Sequence, residues 1–181
     1  PAQAAYGGQI GEKAAINHAL TSPQKICEGD VLLTGASADV GGYTSELERC
    51  MFVGEPSAEQ EKYFNLAMEA QELSFDTIEA GIKCSEVDKK NREFFKENGL
   101  GVEGKYWRTH VGHGIGFRMH EAPYLDIGDD REIKPGMVLT VEPCITVPGL
   151  GAFRHSDTIL VTEDGIEMLT YYPRDLESLI I

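Results

Sequence analysis

Only one stretch of this sequence, in its middle third, has the spacing of apolar residues that is typical of helices. Ser57 and Gln60 form a capping-box pattern, which predicts a helix over about 58–80. A second capping pattern at Ser85–Asp88 opens a shorter helix, which is expected to end at Asn98–Gly99. A chain with so little helical pattern must build most of its structure from strands.

Short segments interrupted by glycine and proline surround the helical stretch. Before it, residues 31–33 and 43–53 predict a hairpin that turns at Gly41–Gly42, and residues 1–22 are expected to be irregular or an edge strand. After it, short strands are predicted over 106–111, 117–119, 137–141, 143–147, 157–162 and 166–170. This order predicts an α+β fold with a mostly antiparallel sheet that helices cover on one face.

The charge of the chain limits its partners. Its 181 residues are 41% apolar, which is typical of one globular domain, and carry a net charge of −14. Phosphate backbones would repel so acidic a chain, so nucleic-acid binding is not expected. No apolar run approaches the roughly 18 residues that span a bilayer, so no membrane partner is expected. No signal-peptide pattern opens the chain.

The cysteines are too far apart in the sequence for a paired zinc or redox motif. We expect reduced core thiols and a cytoplasmic location, because each cysteine has apolar neighbours. The four residues are Cys27, Cys50, Cys84 and Cys144. Since the chain begins at Pro1 and ends on an apolar run, we also expect an N-terminally truncated part of a longer protein.

Histidines and glutamates mark the candidate site. His113 and His120 lie close together in a glycine-rich segment, and His113 stands between two glycines that leave room for a ligand. Glu142 lies within an apolar strand, where a carboxylate is costly unless it is paired or liganded. Glu46 and Glu48 share one face of the predicted hairpin strand. The alternatives are a buried structural histidine and a solvated hairpin face.

Several motifs in this order resemble those of one family, the pita-bread peptidases, which comprise methionine aminopeptidases, Xaa-Pro aminopeptidases and dipeptidases, and creatinase. The motifs are Gly29-Asp30, Gly42-Tyr43, Gly112-His113-Gly114-Ile115-Gly116, His120-Glu121-Ala122-Pro123, Lys134-Pro135-Gly136-Met137, Val141-Glu142-Pro143 and Asp157-Thr158. The resemblance covers nearly the whole chain. It implies the pita-bread fold, a curved and mostly antiparallel sheet covered by helices, with residues 1–181 as a catalytic domain that lacks its start.

In the metal-dependent members of this family, two Asp, one His and two Glu bind two divalent metal ions. The resemblance matches three of these ligands to His113, Glu142 and Glu46, the last of which replaces an Asp. The other Asp corresponds to Gly35 and the other Glu to Ser156, so two ligands are missing. A two-metal mechanism is therefore not expected, because it relies on bridging carboxylates.

No cofactor is the main expectation for this chain. The alternative is one divalent cation, Mn, Co, Zn or Fe, held by Glu46, His113 and Glu142, because one histidine and two carboxylates can form an open metal site.

Creatinase is a metal-free member of the family. At the positions where metal ligands are missing, this chain resembles creatinase more than the metal-dependent members. Its Leu-Glu-Arg stretch resembles residues 47–49, and the spacing of its catalytic histidine before the Gly-Asp turn corresponds to His18. Creatinase has a Glu where this chain has Ser156, so creatine itself is not the expected substrate. We assign catalytic roles to His18, His120 and Glu48, and substrate binding to Glu46, Glu142, His113 and Arg49.

These residues predict a hydrolase of C–N bonds. Its substrates would be short peptides, as for Xaa-Pro dipeptidases, or small amide or amidine compounds, as for creatinase. The alternative is a catalytically inactive peptide- or protein-binding module of the same fold, which the missing ligands would fit. Retention of His18, His113, His120 and Glu142 favours the enzyme. The partners expected are a small-molecule or short-peptide substrate and a second copy of the chain in a homodimer.

Overall fold

A computed structural model describes residues 3–16, 19–20, 22–101 and 110–181. Within these ranges the chain forms ten strands and two α-helices. The first part contains β1 (Gln3–Ile10), β2 (Val31–Val40), β3 (Tyr43–Phe52), α1 (Ala58–Thr77) and α2 (Cys84–Glu97). The second part contains β4 (Gly112–Gly114), β5 (Glu121–Leu125), β6 (Val138–Val141), β7 (Ile145–Val147), β8 (Gly151–Phe153), β9 (Asp157–Thr162) and β10 (Gly165–Met168). The predicted α+β class is confirmed.

The predicted capping box starts α1. The Gln60 backbone N–H donates to Ser57 Oγ at 3.3 Å, and the Ser57 N–H donates to Gln60 Oε1 at 2.7 Å. The helix buries Phe64 and Phe75 and ends at Thr77, a few residues before the predicted end. Its apolar face therefore covers the sheets, as the spacing of these residues predicts.

The start of α2 differs from the prediction. Ser85 lies inside the helix rather than at its N-cap, which is Lys83. The reason is that the Ser85 hydroxyl donates to Asp130 Oδ1 at 2.7 Å instead of accepting from its own helix. The end is as predicted, with Asn98 at the C-cap and Gly99 in the left-handed region at φ 75°.

The named strands form three antiparallel sheets. The first has the order β1-β2-β3, the second β10-β9-β6-β4-β5, and the third pairs β7 with β8. A bridge between Glu48 and Ser156 connects the first sheet to the chain just before β9. A further hydrogen bond, from the Thr44 N–H to the Gly116 carbonyl, lies at the other end of β3. The first two sheets thus meet along β3.

Several strands differ from the predicted pattern. The region predicted as irregular or an edge strand contains β1, which lies at the edge of its sheet, whereas β4, β5 and β8 were not expected. Residues 117–119 form bends rather than a strand. Of the strand predicted over 106–111, residues 106–109 lie outside the described residues and the remainder is not a strand. β4 was not predicted because it contains glycines, which weaken the strand pattern. Glycine is required at position 112, because a Cβ there would overlap the Thr140 carbonyl.

The main core lies between the helices and the sheets. It includes Phe52 of β3, Phe64 of α1, Phe95 of α2 and Ile159 of β9, all buried. Burial of such side chains is the dominant favourable contribution to folding. Cys50, Cys84 and Cys144 are buried, as predicted, whereas Cys27 is exposed because it lies in the loop before β2. No described helix is both long and apolar enough to cross a bilayer.

Arg49 is a structural residue, which corrects its predicted role in substrate binding. Its side chain is 2% exposed and donates to Asp157 Oδ1 at 2.7 Å. Its remaining N–H groups donate to the backbone carbonyls of Glu48, Ser156, Tyr172 and Pro173. Strand alternation is the physical reason, because residue 49 points to the face opposite residue 48.

Loss of the Arg49 side chain should destabilise the fold. In Arg49→Met, Asp157 would remain buried without its main cation, so we expect a loss of about 3 kcal/mol in the free energy of unfolding. Urea denaturation followed by circular dichroism measures this value. Lys83→Met is the matched control, because Lys83 and its partner Asp130 are exposed and 3.7 Å apart, and it should cost below about 1 kcal/mol. Equal stabilities of the two variants would contradict the structural role.

Candidate functional site

The antiparallel register of β1, β2 and β3 places two carboxylates beside small residues. Glu46 lies opposite Ser37, and Glu48 lies opposite Gly35, which in turn pairs with Gly7 on β1. The Glu46 and Glu48 side chains share one face of β3 and line a cavity of about 290 Å³. Both are largely buried, with 11% and 19% of the side chain exposed, so this face is a cleft and not a solvated surface.

His113 of β4 faces the same cleft from the second sheet. Its Nδ1 lies 3.0 Å from the Gly114 carbonyl oxygen, to which it donates in the corresponding tautomer. Its Nε2 lies 3.3 Å from Glu142 Oε1 and 3.7 Å from Glu46 Oε2. Burial alone would lower the pKa of His113, but Glu142, the Gly114 carbonyl and Glu46 hold it above its ordinary value. The predicted proximity of Glu46, His113 and Glu142 is therefore present.

Glu46 is held in place by residues at the start of β9. Ser156 Oγ donates to Glu46 Oε1 at 2.7 Å, and the Thr158 hydroxyl donates to the Glu46 backbone carbonyl at 2.8 Å. Burial raises the pKa of Glu46, and the nearby Glu142 carboxylate raises it further, against the opposing hydrogen bond from Ser156. Ser156 therefore holds the neighbouring Glu46 carboxylate by a hydrogen bond, although it offers no carboxylate of its own.

Arg154 provides a positive charge inside the cleft. Its Nη2 forms an ion pair with Glu48 Oε2, and its Nη1 lies 3.2 Å from Glu142 Oε2. Burial alone would raise the pKa of Glu142, yet Arg154 and His113 hold it below its ordinary value. Burial raises the pKa of Glu48 to about 7, with contributions from Glu142 and Glu46 and against the effect of Arg154. One guanidinium therefore neutralises part of a cluster of three carboxylates.

No role was assigned to Arg154 from the sequence, although one signal was available. Residues 154 and 156 are two apart, so they point to the same face if the chain is extended. The neighbouring His155 points away from that face, where it packs against Phe64 with ring centroids 5.4 Å apart. Burial lowers the pKa of His155 to about 3, so it stays neutral in the core.

Further histidines lie at the open side of the cleft. The His120 ring is 4.1 Å from the His113 ring between centroids, and His120 lines the cavity together with Met119. His110, to which no role was assigned, also lines it, and its ring centroid is 5.6 Å from that of His113. Burial lowers the pKa of His110. The structure thus brings His113 and His120 together, whereas His18 lies outside the described residues.

Part of the cleft has the donor atoms of a single metal site. Among the described residues, ligand atoms of Glu46, His113 and His120 lie within 4.8 Å of one another and could hold one ion. This group contains His120 where Glu142 was predicted. Two metal ions do not fit this donor set, because position 35 has no side chain and the Ser156 hydroxyl already donates to Glu46. In addition, the carboxylates of Glu48 and Glu142 are already paired with the Arg154 guanidinium, so they are not free to bind a second ion.

The fold and the motif residues around this cleft define a pita-bread peptidase domain. Residues 6–163 match the family described as metallopeptidase family M24. An Xaa-Pro dipeptidase of Pyrococcus furiosus is 35% identical over 166 residues, which are 92% of this chain and 47% of that protein. The chain belongs to metallopeptidase family M24, and it spans about half the length of the curated relatives it matches.

Solved structures support the same assignment. An Xaa-Pro dipeptidase from Bacillus anthracis is 36% identical, with a TM-score of 0.90, and is matched over 97% of this chain and 48% of that one. An X-Pro aminopeptidase from Thermotoga maritima is 30% identical, with a TM-score of 0.89, and is matched over 94% of this chain and 48% of that one. The predicted pita-bread fold is confirmed.

The raised pKa of Glu48 predicts a pH effect on stability. A folded-state pKa of about 7, above the ordinary 4.5, means that wild-type stability is lost as pH rises from about 4.5 to 7. Glu48→Gln cannot ionise, so its free energy of unfolding should rise relative to wild type by up to about 3 kcal/mol across this window. Denaturation at several pH values in EDTA measures the difference. The exposed control Glu163→Gln should follow wild type, and a constant offset for Glu48→Gln would contradict the shift.

Proposed function

We propose that the full-length protein hydrolyses a C–N bond in a small amide, amidine or short peptide, without a two-metal centre. The observation that carries this proposal is the Arg154 guanidinium, which lies between the carboxylates of Glu48 and Glu142. It places a fixed positive charge in the cleft, while Gly35 and Ser156 offer no carboxylate to a second metal ion. The relatives named Xaa-Pro dipeptidase support this reaction class.

The balance of charge favours a substrate with one cationic or N–H-rich group. Glu46, Glu48 and Glu142 can carry three negative charges, whereas Arg154 carries one positive charge and His113 a second when it is protonated. One negative charge is left for a proton or for a cationic group of the substrate to balance. An amidine, a guanidine or the amino group of a short peptide meets this requirement.

The proposed reaction uses water and the groups around the cavity. A water oxygen forms a bond to the carbon of the scissile C–N bond, which then breaks so that its electron pair leaves with nitrogen. Glu46 and Glu142 orient the water, and His120 donates a hydrogen bond to the substrate atom that gains negative charge. By resemblance, His18 takes the proton from water and returns it to the leaving nitrogen.

Metal removal tests the absence of a two-metal centre. We expect the full-length protein as purified to contain less than one metal ion per chain, and we expect the EDTA-treated protein to hydrolyse members of a panel of small amidine and guanidino compounds. A second panel of Xaa-Pro dipeptides tests the peptide alternative. Elemental analysis and ammonia or amine release measure the two quantities. His120→Ala should lower kcat by about 10²- to 10³-fold, whereas the exposed control Lys83→Met should not.

Each other outcome of this experiment changes the proposal. Two ions per chain whose removal abolishes turnover would overturn the proposal in favour of a two-metal mechanism, whereas one such ion would retain the hydrolase and add a single cation on Glu46, His113 and His120. Absence of turnover on both panels, with or without added metal, would overturn it in favour of the inactive binding module.

The proton-transfer role of His18 is tested by substitution. His18→Ala should lower kcat by about 10²- to 10⁴-fold, with a smaller effect on KM, because the residue acts on the proton and not on binding. Steady-state kinetics on the substrate found in the panels measure both constants. Unchanged turnover would remove His18 from the mechanism.

The homodimer expected for this chain stays a prediction.

A further inference from the structure

β1 lies at the edge of the first sheet, and among the described strands it pairs only with β2. The pairing runs over eight residues without a register shift, and residues 3–8 are all exposed. Gly7 and Gly8 are among them, and the exposed surface of a glycine consists of backbone atoms. Edge strands are usually protected by charged side chains, proline or a bulge, and β1 has none of these.

The pairing within the sheet shows which backbone groups of β1 point outward. The N–H and C=O of Glu48 both bond to Ser156, on the side of β3 that faces away from β2. Because the direction of hydrogen bonding alternates along antiparallel strands, its cross-strand partner Gly35 directs its own N–H and C=O to Gly7 of β1. Both neighbours of Gly7 in the chain therefore direct their N–H and C=O to the open edge.

These neighbours, Tyr6 and Gly8, also line a second cavity. It has a volume of about 330 Å³ and lies on the face of the sheet opposite the cleft, which Ala5 and Gly7 line. The apolar side chains at this cavity include Ile10, Ile26 and Leu32. A strand added to the open edge places every second side chain on the face of this cavity, because directly opposed residues of two paired strands share a face.

We propose that the open edge of β1 binds an extended peptide segment, which adds to the first sheet as a fourth antiparallel strand and directs alternate apolar side chains to the second cavity. Backbone hydrogen bonds to Tyr6 and Gly8 supply affinity, and the cavity supplies specificity. This inference goes beyond the proposed hydrolysis and does not depend on it, because β2 separates β1 from the carboxylates of β3.

A peptide is favoured over a second copy of the chain as the occupant of this edge. Pairing of two β1 edges would bring two acidic clefts side by side, since Ala5 and Gly7 line the cleft. The chain has a net charge of −14, so two copies repel each other, whereas an uncharged peptide meets no such repulsion.

The probe for this edge is acetyl-Thr-Leu-Thr-Leu-Thr-Leu-amide, an uncharged peptide that alternates polar and apolar residues. We expect the full-length protein to bind it in EDTA, as measured by isothermal titration calorimetry, with mass spectrometry to verify that the peptide stays intact. N-methylation of one internal leucine amide should weaken binding by about 5- to 10-fold, because the methyl group removes a hydrogen bond to β1. N-methylation of an internal threonine amide, which points to solvent, should weaken it by less than about 2-fold. Equal effects at both sets, or a larger effect at threonine, would overturn the proposal.

Substitutions at position 8 test the same pairing from the protein. Gly8→Pro removes the N–H that points to the open edge, so it should weaken probe binding by at least about 10-fold and change the midpoint of thermal unfolding little. Gly8→Ala is the matched control, because it keeps this N–H and its Cβ would meet its neighbours at ordinary distances of 3.4 to 3.7 Å. It should bind the probe like wild type. Gly7→Pro should instead lower the midpoint, because the Gly7 N–H is bonded to β2. Full probe binding by Gly8→Pro would contradict the proposed pairing, and the methylated peptides test it without altering the protein.

The remaining outcomes separate this inference from its alternatives. Absence of probe binding by wild type would overturn it. A dimer in analytical ultracentrifugation that Gly8→Pro dissociates and the probe does not would overturn it in favour of a second copy at the edge. Probe binding without turnover on either substrate panel would retain this inference and reject the hydrolase, whereas turnover without probe binding would do the reverse.

Discussion

The cleft depends on the junction between β3 and the start of β9. The Glu48 N–H donates to the Ser156 carbonyl at 3.0 Å, and the Ser156 N–H donates to the Glu48 carbonyl at 3.1 Å. Behind this bridge, Arg49 and Asp157 form a buried ion pair. Two consecutive residues of each segment thus have different roles. Because side chains alternate along an extended chain, Glu48 and Ser156 face the cleft, whereas Arg49 and Asp157 form the ion pair behind it.

This junction also determines which charges meet. It brings Ser156 to Glu46 and Arg154 to Glu48, although the partners are more than 100 positions apart in the sequence. Carboxylates this close raise one another's pKa unless cations balance them. Arg154 is a cation that belongs to the chain itself, and it cannot lose its proton at any physiological pH. The electrostatic character of the cleft is therefore built in by the fold.

The sequence was sufficient for features that depend on neighbouring residues. The capping box at Ser57 and the left-handed end at Gly99 follow from local hydrogen bonds and backbone preference, and both were predicted. Ser85 was wrongly predicted as a cap because its hydroxyl has a partner, Asp130, that is 45 positions away. β4 was missed because its glycines carry no strand pattern of their own: Gly112 is required by the close Thr140 carbonyl, and Gly114 by the close carbonyls of Glu121 and Ala122.

The same distinction applies to the candidate site. The proximity of Glu46, His113 and Glu142 was predicted from motifs, whereas the contribution of Arg154 depends on the pairing of β3 with residue 156, which no local pattern specifies.

Counting ligands by position along the motifs leads to a different conclusion from counting charges in space. By position in the sequence, Gly35 stands where the metal-dependent members have an Asp, so a carboxylate is missing. In space, the carboxylate of Glu48 lies over that glycine, so the cross-strand neighbour has a negative group close to the place where the missing side chain would begin. The group is nevertheless not equivalent, because it is tied to Arg154 and arises from a different strand. A carboxylate tied to Arg154 in this way is poorly placed to bridge two metal ions, which require oxygens aimed at a common point.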